Sequence, residues 1–244
     1  MSLPPLAVLL FTPRAGEITG SARWSAMRML RPFADRFDVR LVNRPAGLPV
    51  TIAMPELAAV YAERFAAAFA GPVPVLAIST GGAIALQLAA DHPKLLDRLV
   101  LGGTAATLGP PGRRAQRAYI ERALAGRRPS PALADIVTPS PLGRRLLRPL
   151  LWLSDGASGD RADAVAVLHA EDGFDLRARL GEITAPTLLI HGAEDVVYSL
   201  ELARQTAEGI PGARLVVYEG RGHSATFTDR RFARDALAFL HEPG

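Results

Sequence analysis

Six short, mostly apolar runs alternate with longer stretches of helical periodicity, and that alternation leaves the chain few architectures to adopt. The runs are Leu6–Phe11, Asp38–Asn43, Val73–Ile78, Leu96–Leu101, Thr187–His191 and Arg214–Tyr218. Strands without a polar face need cover on both sides, which a parallel sheet flanked by helices provides. The expected fold is therefore α/β, a mainly parallel open sheet of about six strands with helices on both faces. Between the strands, Pro55 suits a first helical turn, and Leu57, Tyr61, Phe65 and Phe69 follow at helical spacing as core residues. Phe232, Ala236 and Phe239 share one face of a last helix, with Arg230, Arg231, Arg234 and Asp235 left to solvent.

The alternation stops between about Gly102 and Gly181. No convincing strand lies there, and the pattern predicts helices over Arg113–Ala125, Leu142–Leu153 and Asp160–His169. Pro129, Pro131, Pro139, Pro141 and Pro149 are expected to cut this stretch into short pieces. The simplest organisation is a core formed by residues 1–102 and 182–244, with residues 103–181 inserted as a helical lid.

Composition narrows the function classes. With 244 residues, 49% of them hydrophobic, the chain can bury one substantial core. It has no cysteine, which excludes disulfides, thiolate metal sites and cysteine nucleophiles and fits a cytoplasmic location. The opening MSLPPLAVLLF lacks a basic leader and is too short to span a bilayer, so it reads as a strand, and no membrane association is expected. The formal net charge is +4, almost all of the positive charge being arginine, since Lys94 is the single lysine. Arg113, Arg114, Arg117, Arg122, Arg127, Arg128, Arg144, Arg145, Arg148 and Arg161 crowd the stretch from Pro110 to Arg161, against Glu121, Asp135, Asp155 and Asp160. No nucleic-acid motif accompanies them, so a solvated, arginine-biased helix surface is expected, with attraction of an acidic substrate or carrier protein as the rival reading.

The segment Val73-Pro74-Val75-Leu76-Ala77-Ile78-Ser79-Thr80-Gly81-Gly82 runs a strand directly into a helix with a serine at the corner. A turn that sharp needs small residues beside the serine, and Ala77, Gly81 and Gly82 supply them. It would lift the hydroxyl over the sheet edge beside the free N–H groups of a helix N-terminus. The same pattern also fits a serine that merely caps a helix. A nucleophilic serine needs a base in contact with it. Among His92, His169, His191, His223 and His241, His223 lies on a glycine-flanked loop after the last strand, whereas His191 ends a strand and reads as structural. The base needs a carboxylate to hold its tautomer. Asp195 and Glu194 both follow the fifth strand, and spacing alone does not separate them.

These segments resemble the α/β-hydrolase family. Ala77-Ile78-Ser79-Thr80-Gly81-Gly82 looks like its nucleophile elbow, Pro186-Thr187-Leu188-Leu189-Ile190-His191-Gly192 through Asp195 its acid loop, and Gly222-His223 its histidine loop. The order serine, acid, histidine is the one this family uses. The resemblance covers nearly the whole chain outside the lid and implies Ser79, Asp195 and His223 as catalytic residues. It also implies that the first strand lies beside the third, with the second outside it, so that Ser79 sits where the strand order reverses. Thr80 is the implied oxyanion donor. The usual His-Gly after the first strand is replaced by Phe11-Thr12-Pro13-Arg14, where proline has no N–H to give. Either Thr12 or Arg14 then supplies the second donor through a shifted loop, or the enzyme is slow, or its reaction does without a full oxyanion hole.

A serine at the elbow favours acyl transfer to water, on an ester, thioester or similar acyl bond of a small molecule, with no cofactor or metal. Phe11, Tyr119 and Trp152 are candidates for the substrate pocket. A lyase or cyclase on the same fold, motivated by the altered Thr12-Pro13 loop, is the alternative, and a catalytically dead binding module is the third reading. Oligomeric state is not legible in the sequence.

Overall fold

The computed structural model describes residues 3–11, 15–16, 20–137, 140–154 and 161–242. Six strands, β1 (Pro5–Leu10), β2 (Asp38–Val42), β3 (Val73–Ile78), β4 (Leu96–Gly102), β5 (Thr187–Gly192) and β6 (Arg214–Tyr218), form one sheet in the order β2-β1-β3-β4-β5-β6. Every pairing is parallel. β1 lies between β2 and β3, as the resemblance implied, so the order reverses beside the end of β3.

Alternating side chains feed two cores, because successive strand residues point to opposite faces. In β1, Ala7 and Leu9 pack on one face while Leu6 and Val8 pack on the other. The first face is covered by α2 (Met54–Ala68) and α3 (Thr80–Asp91), with Leu57, Tyr61 and Phe65 buried as their spacing predicts. The second is covered by α1 (Gly20–Ala34) and α10 (Arg230–Leu240), which contribute Leu30, Phe33, Phe232 and Phe239.

Between β4 and β5 the described elements are helical: α4 (Pro110–Leu124), the short α5 (Ala134–Val137), α6 (Pro141–Ser154) and α7 (Ala162–Asp172), with 3-10 turns at Ser130–Leu133 and Arg177–Glu182. Pro141 opens α6, but Pro149 does not end it. The helix runs through at the cost of the one backbone bond that Pro149 cannot donate. The segment leaves and returns at a single neck, where Leu176 N–H donates to Ala106 O at 2.8 Å and the Thr107 hydroxyl donates to Phe174 O at 3.0 Å. The chain closes with α8 (Leu200–Gly209), between β5 and β6, and α9 (His223–Thr228), ahead of α10. Among the described residues, no helix is long and apolar enough to cross a membrane.

Candidate active site

The turn from β3 into α3 is as tight as its small residues suggest. Ser79 has φ 55° and ψ −127°, the positive φ of a non-glycine residue that only surrounding structure can hold. That structure includes the Ser79 N–H bond to Gly102 O at 2.9 Å. A Cβ at Gly81 would stand 2.3 Å from Leu9 O, and one at Gly82 would stand 2.4 Å from Thr104 Cγ2. Glycine is required at both positions because α3 leaves the sheet in contact with β1 and with the loop after β4.

Ser79 Oγ lies 2.9 Å from His223 Nε2, and His223 Nδ1 lies 2.8 Å from Asp195 Oδ2. Asp195 is buried, and its second oxygen accepts from the N–H groups of Val197, at 2.8 Å, and Tyr198, at 3.2 Å. Those bonds aim the carboxylate at Nδ1. A proton on Nδ1 then leaves Nε2 free to accept from the serine hydroxyl. Glu194 is exposed on the opposite side of the same loop, so burial separates the two acids that spacing could not. Gly192 is forced here too, since a Cβ would fall 2.2 Å from Arg221 O in the loop that carries His223.

His191 is structural, as expected from its place at the end of a strand. Its Nε2 donates to Tyr198 O at 2.7 Å, and burial lowers its pKa, which favours the neutral ring. Tyr198 is thereby held on both sides of its own peptide, against His191 and Asp195, while its ring lies 6.0 Å from that of His223.

Behind this row sits a buried polar cluster that no sequence pattern announced. Glu171, on α7, is completely buried and accepts hydrogen bonds from the Tyr198 hydroxyl and the Gln116 side-chain amide. Burial pushes its carboxyl above the usual carboxylate range, and pushes the Tyr198 phenol well above its own. Buried polar groups are stable when partnered, and this cluster draws on α4, α7 and the loop after β5. One carboxyl thus joins the helical segment to the loop that carries Asp195.

Ser79 opens onto a cavity of about 410 Å³ whose walls are mainly apolar, among them Phe11, Met29, Ile78, Leu133, Leu168 and Phe227, with Gln116 and Tyr198 as polar members. Phe11 lines this cavity just beyond the end of β1. Tyr119 and Trp152 do not line this cavity. Tyr119 is 2% exposed and packs with Ile120, Val165 and Leu168, because the α4 face that meets the cavity carries Gln116 one turn earlier. Trp152 stacks on Arg128, 3.7 Å from ring centroid to guanidinium, at a separate groove. Thr80 stands at the first position of α3, where backbone N–H groups have no intrahelical acceptor. Thr12, Pro13 and Arg14 lie outside the described residues.

The chain that carries this arrangement has relatives among known proteins. A family model described as serine aminopeptidase, S33, matches residues 56–230. The chain belongs to this α/β-hydrolase family. A pimeloyl-[acyl-carrier protein] methyl ester esterase of Chromobacterium violaceum is 30% identical to this α/β-hydrolase over 223 residues, 86% of each chain. A protein named for carbamate hydrolysis, RutD of Pseudomonas savastanoi pv. phaseolicola, is 40% identical over 75 residues, which is 30% of this chain and 29% of the relative. The match thus spans less than a third of that relative's length. The crystal structure of a hydrolase from Pseudomonas aeruginosa superposes with a TM-score of 0.69 at 27% identity, covering 98% of this chain and 91% of that one.

Proposed function

We propose that this α/β-hydrolase cleaves an ester, thioester, carbamate or similar acyl bond of a small molecule, with Ser79 as nucleophile. The reading rests on one observation above all: an unbroken chain of contacts, Ser79 to His223 at 2.9 Å and His223 to Asp195 at 2.8 Å, at the wall of an apolar cavity. In this mechanism Ser79 Oγ attacks the carbonyl carbon while His223 Nε2 takes its proton. Asp195 steadies the imidazolium, the Thr80 N–H stabilises the oxyanion, and the proton passes to the leaving group. Water, deprotonated by His223, then releases the acid and restores the serine. Methyl ester and carbamate, the bonds named in the relatives' titles, both present the acyl carbon this chemistry needs. The helices of residues 103–181 act as a lid, since Gln116, Leu133, Ile136 and Leu168 all come from them and form one side of the cavity.

The test is active-site labelling. A fluorophosphonate probe is expected to modify the wild-type protein at Ser79, Ser79→Ala to abolish labelling, and short p-nitrophenyl esters to be turned over by the wild type alone. An unlabelled wild-type protein with no turnover across a broad acyl panel refutes the proposal.

A further inference from the structure

A second hollow, of about 1050 Å³, opens between α4 and α6 and shares a wall with the Ser79 cavity: Ile136 lines both, and Val196 lines the groove where its neighbour Val197 lines the cavity. The charged residues on its described walls are all arginines, namely Arg114, Arg122, Arg144 and Arg148. The two faces of α4 explain why this matters. Arg113 and Arg117 turn toward α7 and meet Asp172, at 3.9 Å and 3.0 Å. Arg114 and Arg122 turn to the groove, where Arg114 is exposed and Arg122 Nε donates at 2.9 Å to a neutral acceptor, the carbonyl of Arg128. Among the described residues, α4 thus meets a carboxylate through Arg113 and Arg117 on one face and turns Arg114 and Arg122 to the groove on the other. Guanidinium forks match phosphate oxygens in both geometry and charge.

We infer that this groove holds the phosphate-bearing handle of the substrate whose acyl part lies in the Ser79 cavity, so that the preferred substrate is a small-molecule acyl thioester with a polyanionic leaving group. The inference rests on the hydrolase reading above. The occupant is a small molecule because the hollow is a concave pocket at the upper end of the range small ligands fill, about 300–1,000 Å³. In the reaction the bond from Ser79 Oγ to the acyl carbon forms as the C–S bond breaks. The proton taken by His223 goes to the thiolate sulfur, and water then releases the free acid, so no further reactant is needed.

The probes are butyryl-coenzyme A and its neutral counterpart, the butyryl thioester of N-acetylcysteamine, assayed by thiol release. The wild type is expected to favour the coenzyme A thioester in kcat/KM by about tenfold or more at low salt, the worth of one or two charge-assisted contacts. That ratio is expected to shrink as ionic strength rises, and to fall toward one in Arg114→Ala and in Arg114→Ala/Arg122→Ala, chiefly through KM. Arg114→Ala removes an exposed side chain, and its melting curve checks that the fold persists. Equal turnover of both thioesters, or a ratio unmoved by the variants, overturns the groove assignment. Turnover of the same acyl group on a carrier protein but not on coenzyme A overturns the small-molecule occupant. Should neither thioester nor any p-nitrophenyl ester be cleaved, the hydrolase reading has failed instead. Calorimetric titration with coenzyme A then decides the groove by itself, where loss of binding in the double variant supports it and absence of wild-type binding refutes it.

Discussion

Replacing Glu171 tests whether the buried cluster holds the proposed catalytic residues in place or merely fills space. In Glu171→Leu, two polar groups lose their common partner: the hydroxyl of Tyr198 and the side-chain amide of Gln116, on residues 0% and 5% exposed. A buried polar group left unpaired costs roughly 1–3 kcal/mol. The two share one network, so their losses do not add in full, and about 2 kcal/mol is a fair lower figure. For a chain of this length each kcal/mol lowers the melting temperature by about 2–4 °C, so a drop of about 4–8 °C is expected by calorimetry. Glu171→Gln keeps the shape and an acceptor oxygen, and should lose less than half as much. Activity should follow the same order, with kcat falling more than KM in Glu171→Leu. The reason is that Tyr198, which loses its hydroxyl's partner, also supplies an N–H to Asp195. A pH series adds an independent sign. The folded state holds the Glu171 proton more tightly than the unfolded chain, whose carboxyl titrates near 4.5. Wild-type stability therefore falls relative to Glu171→Gln as pH rises from that value toward the folded pKa. A Glu171→Leu protein that melts and turns over like the wild type refutes the positioning role.

Asp195→Asn should reduce kcat by about 10⁴ by spoiling the tautomer of His223, whereas Glu194→Gln, at an exposed carboxylate, should leave esterase rates within twofold. Gly81→Ala would drive a methyl group onto Leu9 O, 2.3 Å away, and should cost about 1–3 kcal/mol in chemical denaturation while displacing Ser79 enough to slow acylation. A Gly81→Ala protein with normal stability and rate would show that the elbow tolerates more space than its geometry implies.

The sheet was legible because each of its central strands is covered on both faces, so its apolar run is continuous and its bounds fall within a residue or two of those observed. Phe11, expected to end the first strand, instead leaves the sheet and lines the cavity, a difference of one residue that changes its surroundings altogether. α1 was not read from the sequence: among its described side chains the buried ones are Ala26, Leu30 and Phe33, a narrow stripe among the exposed Arg23, Trp24, Arg28, Arg31 and Pro32. Ser79 and His223 could be read because turn chemistry and glycine flank them. Asp195 needed the family resemblance, since only burial tells it from Glu194. Gln116 and Glu171 could not be found, because both are ordinarily surface residues and 55 positions on two helices separate them. The arginine excess was visible as a number, but its division into a face paired with Asp172 and a face turned to the groove is a property of how α4 packs against α7.

The neck formed by Ala106–Thr107 and Phe174–Leu176 makes exit and re-entry of the helical segment a single doorway beside the paired strands β4 and β5. Everything beyond it can diverge in length and composition without disturbing the strand pairing, so substrate choice and bond-breaking chemistry can be inherited separately. A transplant of this segment onto a related core would still have to bring Glu171 and Gln116 with it and find a tyrosine waiting. Those three residues are the mortise and tenon of the joint.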